Sequence, residues 1–209
     1  MGSNFTVLYD ACVLYPAPLR DFLMELACTG LFRARWTDQI HDEWIQNLLQ
    51  NRSDLTQEQL NRTRTLMNRS VPNSLITGYE WMINSLQLPD PNDRHVLAAA
   101  IQGRVDAIVT FNLKDFPQSI LDTHGIESLH PNEFITDLID LSPLAVAEAA
   151  RTCHQRLKNP PTSREEYLQI SKPKDSRVPS LSYRNYFIKF IKIPFHDEKL
   201  TRYPHYQFW

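Results

Sequence analysis

Val105-Asp106-Ala107-Ile108-Val109-Thr110-Phe111 decides the fold. The run is β-rich and nearly continuously apolar, without polar alternation, which predicts a strand buried on both faces inside a parallel sheet. Just upstream, Asp90 as N-cap, Pro91 at the first helical position and Gly103 at the end define a short helix, whose alanines Ala98, Ala99 and Ala100 allow close packing. Just downstream, Asn112-Leu113-Lys114-Asp115-Phe116-Pro117 closes the strand and places polar residues at its carboxyl end.

Outward from this unit the alternation continues. Residues 5–9 form an apolar, β-favouring run that stops at Asp10, and Leu19, Phe22, Leu23 and Leu26 then mark an amphipathic helix between Pro16 or Pro18 and Gly30. A second helix starts with Thr37 or Asp38 as cap and carries Ile40, Trp44 and Leu48 on its apolar face, with Glu43 at the edge of that face. A third opens with Thr56 and Gln59 in capping-box register and Leu55 and Leu60 as a staple, leaving Arg62, Arg64 and Arg69 for solvent. Residues 79–86 predict a further helix and residues 126–129 a short strand. Later helices are opened by Pro131, by Ser142-Pro143 and by Ser163 with Glu166. Strands alternating with helices give an α/β fold with a central parallel sheet flanked by helices.

At 209 residues the chain suits one core and an appendage. Its 42% hydrophobic and 22% charged residues exclude the disordered and fibrous classes. The N-terminus shows no export signal, and no window holds the roughly 18 apolar residues of a membrane helix, so a cytoplasmic location without membrane contact is expected. Cys12, Cys28 and Cys153 are odd in number and widely spaced. They predict buried thiols in a reducing compartment, and the absence of C-x-x-C or paired histidines argues against zinc.

The net charge of −2 conceals a division. Residues 171–209 carry eight Lys or Arg against three Asp or Glu, +5, which leaves −7 for the first 170. An acidic body does not bind nucleic acid through bulk charge, so any phosphate ligand requires help from a metal. The tail, aromatic and basic, does not continue the α/β pattern. The expected organisation is therefore a core domain over 1–140, a helical extension over 141–170 and a loosely ordered tail over 171–209.

Four acids fall on one edge of the expected sheet. Asp10 ends the first strand, Asp115 follows the buried strand, Asp93 opens the helix before it, and Glu43 rides the second helix. Taken singly, Asp93 reads as a helix cap, Glu43 as a solvated helix residue and Asp115 as a turn former. Asp10 is harder to dismiss, because a charge closing an apolar strand is costly unless paired or metal-bound. Together they describe a hard-metal site, suited to Mg²⁺ or Mn²⁺. Arg33, Arg35, Arg94 and Lys114 lie beside these motifs as candidates for phosphate contact.

In order and spacing, four segments resemble the PIN-domain ribonucleases, and within them the VapC-like toxins of toxin–antitoxin pairs. These are Val7-Leu8-Tyr9-Asp10-Ala11-Cys12-Val13-Leu14-Tyr15-Pro16, residues 33–44 around Glu43, residues 88–100 around Asp93, and residues 108–116 around Asp115. The resemblance runs from about residue 5 to about 170 and implies a PIN-like fold. It also implies that Asp10, Glu43, Asp93 and Asp115 are the catalytic, metal-binding acids of an Mg²⁺- or Mn²⁺-dependent endoribonuclease, with Thr110 and Asn112 lining the pocket as polar support. RNA as substrate, a small antitoxin protein as partner and a homodimer are implied likewise. His41 and His95 are read as packing or hydrogen-bonding residues. Two other readings stand beside it. A phosphorylation-dependent receiver domain would need a further aspartate at the end of its third strand, and a non-catalytic PIN-like RNA-binding module would have one of the four acids turned away from the cleft.

Overall fold

The structure, a computed structural model, describes residues 5–156. The tail expected over 171–209 and the helix start at Ser163 lie outside the described residues, as does the end of the extension expected over 141–170.

Four short parallel strands make one sheet: β1 (Thr6–Tyr9), β2 (Arg33–Arg35), β3 (Ala107–Val109) and β4 (Glu127–Leu129), in the order β2-β1-β3-β4. β1 and β3 are the inner strands, in register Val7 with Ala107, Leu8 with Ile108 and Tyr9 with Val109. The decisive run is thus inner, and its middle three residues, which alone pair as strand, are fully buried, as the lack of alternation requires. β2 was not foreseen. It is an edge strand of three residues, Arg-Ala-Arg, in which only Ala34 is buried, too short and too charged to show a period.

Helices flank the sheet. They are α1 (Ala11–Leu14), α2 (Ala17–Cys28), α3 (Asp38–Asn51), α4 (Gln57–Ser70), α5 (Arg94–Gln102), α6 (Gln118–Leu121), α7 (Pro131–Leu141) and α8 (Pro143–Arg156). The foreseen caps form: Thr37 accepts from Ile40 N at 3.0 Å. Thr56 and Gln59 close both arms of the capping box. The helix expected over 79–86 is instead a 3-10 turn, Glu80–Ser85, confined between Gly78 in the left-handed region and Pro89. Gly103 closes α5 for a steric reason, since a Cβ there would stand 2.4 Å from Ile76 Cδ1.

Buried Leu8, Tyr9, Trp36, Trp44, Leu97 and Phe134 are among the largest core side chains. Arg20 is also buried. It is held by Leu14 O at 2.9 Å and stacks on Trp44 at 4.7 Å, so it joins α2 to α3 with no carboxylate ion pair among the described residues. Two surface expectations are corrected. Arg64 is half-buried and bridges Asp38 and Asp42, tying α4 to α3. Cys28, at the end of α2, is exposed rather than buried, whereas Cys153 is buried and Cys12 half-buried.

Candidate active site

The carboxyl ends of β1 and β3 are adjacent, and here the chain buries a charge. Asp10, 5% exposed, follows β1 directly. Its Oδ2 accepts from the Thr110 hydroxyl at 2.7 Å and from the Cys12 thiol at 3.1 Å. Those two donors are themselves held, Cys12 Sγ by Phe111 N at 3.3 Å and Thr110 Oγ1 by Asn112 N at 3.0 Å. The Thr110–Asp10 and Phe111–Cys12 bonds thus knit the end of the first strand to that of the third. Burial raises the Asp10 carboxyl above its usual range and the field of Glu43 adds to this, while the Thr110 and Cys12 bonds pull it back.

Asp93 closes a 3-10 turn over Pro91–Asp93 and leads into α5. Asp90 caps that turn, accepting from Asn92 N at 2.9 Å. The Asp93 carboxyl is pushed up to about 7, first by burial, then by the negative fields of Asp10, Asp90 and Asp115, with His95 opposing. Asp115 lies on a 3-10 turn over Leu113–Asp115 just beyond β3. Glu43, on the second turn of α3, is bonded through Oε1 to Nε2 of His95 at 2.7 Å. Asp10 therefore lies in the field of Glu43, and Asp93 in those of Asp10 and Asp115, around the carboxyl edge of the sheet. Among the described residues, no three His, Cys, Asp or Glu side chains converge closely enough as they stand to hold an ion.

The supporting residues divide. Thr110 is fully buried with its hydroxyl turned to Asp10, so it braces the acid. Asn112 and Arg94 are half-buried and Lys114 is exposed, beside Asp115. Arg35 donates to the backbone carbonyl of Asn73, 38 residues further along the chain, and Arg33 lies exposed on the edge strand. Two contacts were not legible in advance. Cys12, read only as a buried thiol, sits on the Asp10 carboxylate. The spacing Asp10-x-Cys12 just past a strand end is the signal that would have flagged it. His95 makes a polar contact at ion-pair distance, and its partner is one of the four acids.

His41 is a different case. Its Nδ1 accepts from Trp44 at 3.1 Å and its Nε2 faces Asn68 Oδ1 at 3.0 Å, while burial lowers its pKa to about 4. It is a neutral core residue.

A parallel α/β sheet with acids gathered past the ends of its inner strands defines a recognisable class. A PIN-domain model matches residues 6–114, and the chain belongs to that family. A second model, the VapC50 C-terminal domain, matches residues 131–172. Among curated proteins, "Putative ribonuclease VapC50" of Mycobacterium tuberculosis is 45% identical over 75 residues, covering 34% of this chain and 44% of the relative. The match thus spans less than half the length of that protein. No solved structure matches. No helix among the described residues is long and apolar enough to cross a membrane.

Proposed function

We propose that this chain is a divalent-metal-dependent endoribonuclease, the toxin of a toxin–antitoxin pair, acting in the cytoplasm. The observation that carries the reading is the chain of repulsions from Glu43 to Asp10 and from Asp10 and Asp115 to Asp93, at the carboxyl edge of a PIN-domain sheet. The VapC50 relative, with ribonuclease in its name, supports RNA as the substrate.

The donor set fits a hard cation. Four carboxylates offer anionic oxygen, and their repulsion is the penalty that Mg²⁺ or Mn²⁺ would remove. When bound, such an ion supplies Lewis acidity, lowering the pKa of water and stabilising charge on phosphoryl oxygens. The chain's own part is positioning. Thr110 and Cys12 fix one oxygen of Asp10, His95 fixes Glu43, and the turns after β3 and before α5 carry Asp115 and Asp93 to the same edge. Arg94, Lys114 and Asn112 are proposed to meet the RNA backbone and to orient the scissile phosphate. Water oxygen then bonds to phosphorus as the bridging P–O bond breaks, and the leaving oxygen takes a proton.

A small antitoxin is the proposed partner. An Arg side chain suits this cleft, because a guanidinium forks onto paired carboxylates and replaces the cation's charge without activating water. A homodimer and the division into 1–140, 141–170 and 171–209 belong to the same proposal, with the last segment dispensable for cleavage. The test is RNA cleavage by the purified chain with Mn²⁺ or Mg²⁺ and after EDTA. Cleavage should vanish with EDTA and return on adding metal; cleavage that persists in EDTA refutes the metal mechanism.

A further inference from the structure

We infer that His95 is a positioning residue for the acid site, its imidazole holding the Glu43 carboxylate between α3 and α5. The inference rests on the reading of the four acids as a divalent-cation site. His95 lies on the first turn of α5, two residues after Asp93, and is 3% exposed. Its Nε2 stands 2.7 Å from Oε1 of Glu43, a side chain 35% exposed on another helix. A glutamate so open to solvent has several rotamers, and one short bond to an immobile ring restricts it to the few that keep the contact. The ring thus acts as a strut between α3, which carries Glu43, and the first turn of α5, which follows Asp93.

The other ring nitrogen strengthens the case. Nδ1 of His95 is buried and has no hydrogen-bond partner among the described residues. A side chain needed only for packing would be better apolar there, because an unpaired buried nitrogen costs stability. His41 shows what a packing histidine does in this fold: both of its nitrogens are paired, to Trp44 and Asn68. Among the described residues, the polar contact of the His95 ring goes to Glu43. Outer partners of this kind orient metal-ligating side chains, and their loss costs metal affinity or activity.

The test uses the full chain with His95→Gln and His95→Asn. The Gln amide nitrogen reaches the place of Nε2, whereas Asn reaches only that of Nδ1. Mn²⁺ affinity is read by electron paramagnetic resonance, alongside RNA cleavage and Tm. His95→Asn should lower Mn²⁺ affinity and cleavage by about 10–100-fold, with His95→Gln within about threefold of wild type. In a Glu43→Gln background, His95→Asn should produce no further loss. Variants equal to wild type, a Gln variant as weak as Asn, or losses that add fully to those of Glu43→Gln overturn the inference. Wild-type protein that neither binds Mn²⁺ nor cleaves RNA overturns the metal-site reading with it, whereas an active wild type with indifferent variants overturns the His95 role alone. An Mg²⁺ titration followed on the wild-type His95 ring signals by NMR needs no His95 variant. Those signals should move with Mg²⁺, and signals that stay fixed in an active protein refute the role.

Discussion

The Thr110 hydroxyl donates to Asp10 Oδ2 at 2.7 Å, joining the ends of the two inner strands across 100 residues of chain. Both side chains are buried, so the bond is shielded from water and opposes the rise that burial imposes on the Asp10 carboxyl.

Replacing Thr110 by Val keeps its shape and removes the donor. Hydrogen bonds to charged groups contribute about 1.5–3 kcal/mol, so cleavage should fall by roughly tenfold to a hundredfold. Without that bond the Asp10 carboxyl rises further, and the acid limb of the pH–rate profile should move to higher pH. Thr110→Ser, which keeps the hydroxyl, should recover most of both. A Val variant with wild-type rate and profile would show that the bond does not matter to the reaction.

Stability should depend on pH through Asp93, whose folded pKa of about 7 exceeds the ordinary 3.8. In the metal-free protein the folded state binds that proton more tightly than the unfolded state. The resulting stabilisation is full below about pH 4 and is lost as pH rises through about 7. His41 works oppositely. Held neutral down to about pH 4, it contributes stability above its ordinary 6.5 that is lost as pH falls through about 4. The Asp93 part is therefore read as the Tm of wild type minus that of Asp93→Asn, in EDTA. That difference should grow as pH falls from 7.5 to 4.5, and a flat difference would contradict the shift.

Gly103→Ala should destabilise without touching the chemistry. The new Cβ would meet Ile76 Cδ1 at 2.4 Å and Ala99 O at 3.1 Å. Overpacking of this kind costs about 1–3 kcal/mol, more than the fraction of a kcal/mol gained by stiffening the unfolded chain. Tm should drop by several degrees while cleavage per folded molecule is unchanged. A stabilised variant would mean that Ile76 can move aside freely.

What the sequence disclosed and what it hid follow from range. Capping at Thr37 and Thr56 and the buried run at β3 depend on residues a few positions apart, and these were legible. β2 was not, because three residues with two arginines show no period and pair only once β1 exists. The turn over Glu80–Ser85 shares its composition with an α-helix, and only its flanks shorten it. The acids could be placed along the edge of an expected sheet, since strand ends are visible locally. The partners of those acids could not: Thr110 on Asp10 and His95 on Glu43 are contacts between segments 100 and 52 positions apart. Arg64, expected in solvent, was captured by Asp38 and Asp42 for the same reason.

The most direct measurement is the RNA-cleavage rate of Asp10→Asn at saturating Mn²⁺, taken with its Tm. Asn keeps the shape of the side chain at the end of β1 and removes the charge that the site is built around. Cleavage should fall to background while Tm in EDTA stays at or slightly above that of wild type, since one of several mutually repelling charges has gone. A folded Asp10→Asn protein that cleaves RNA at the wild-type rate would contradict the carboxylate-centred account.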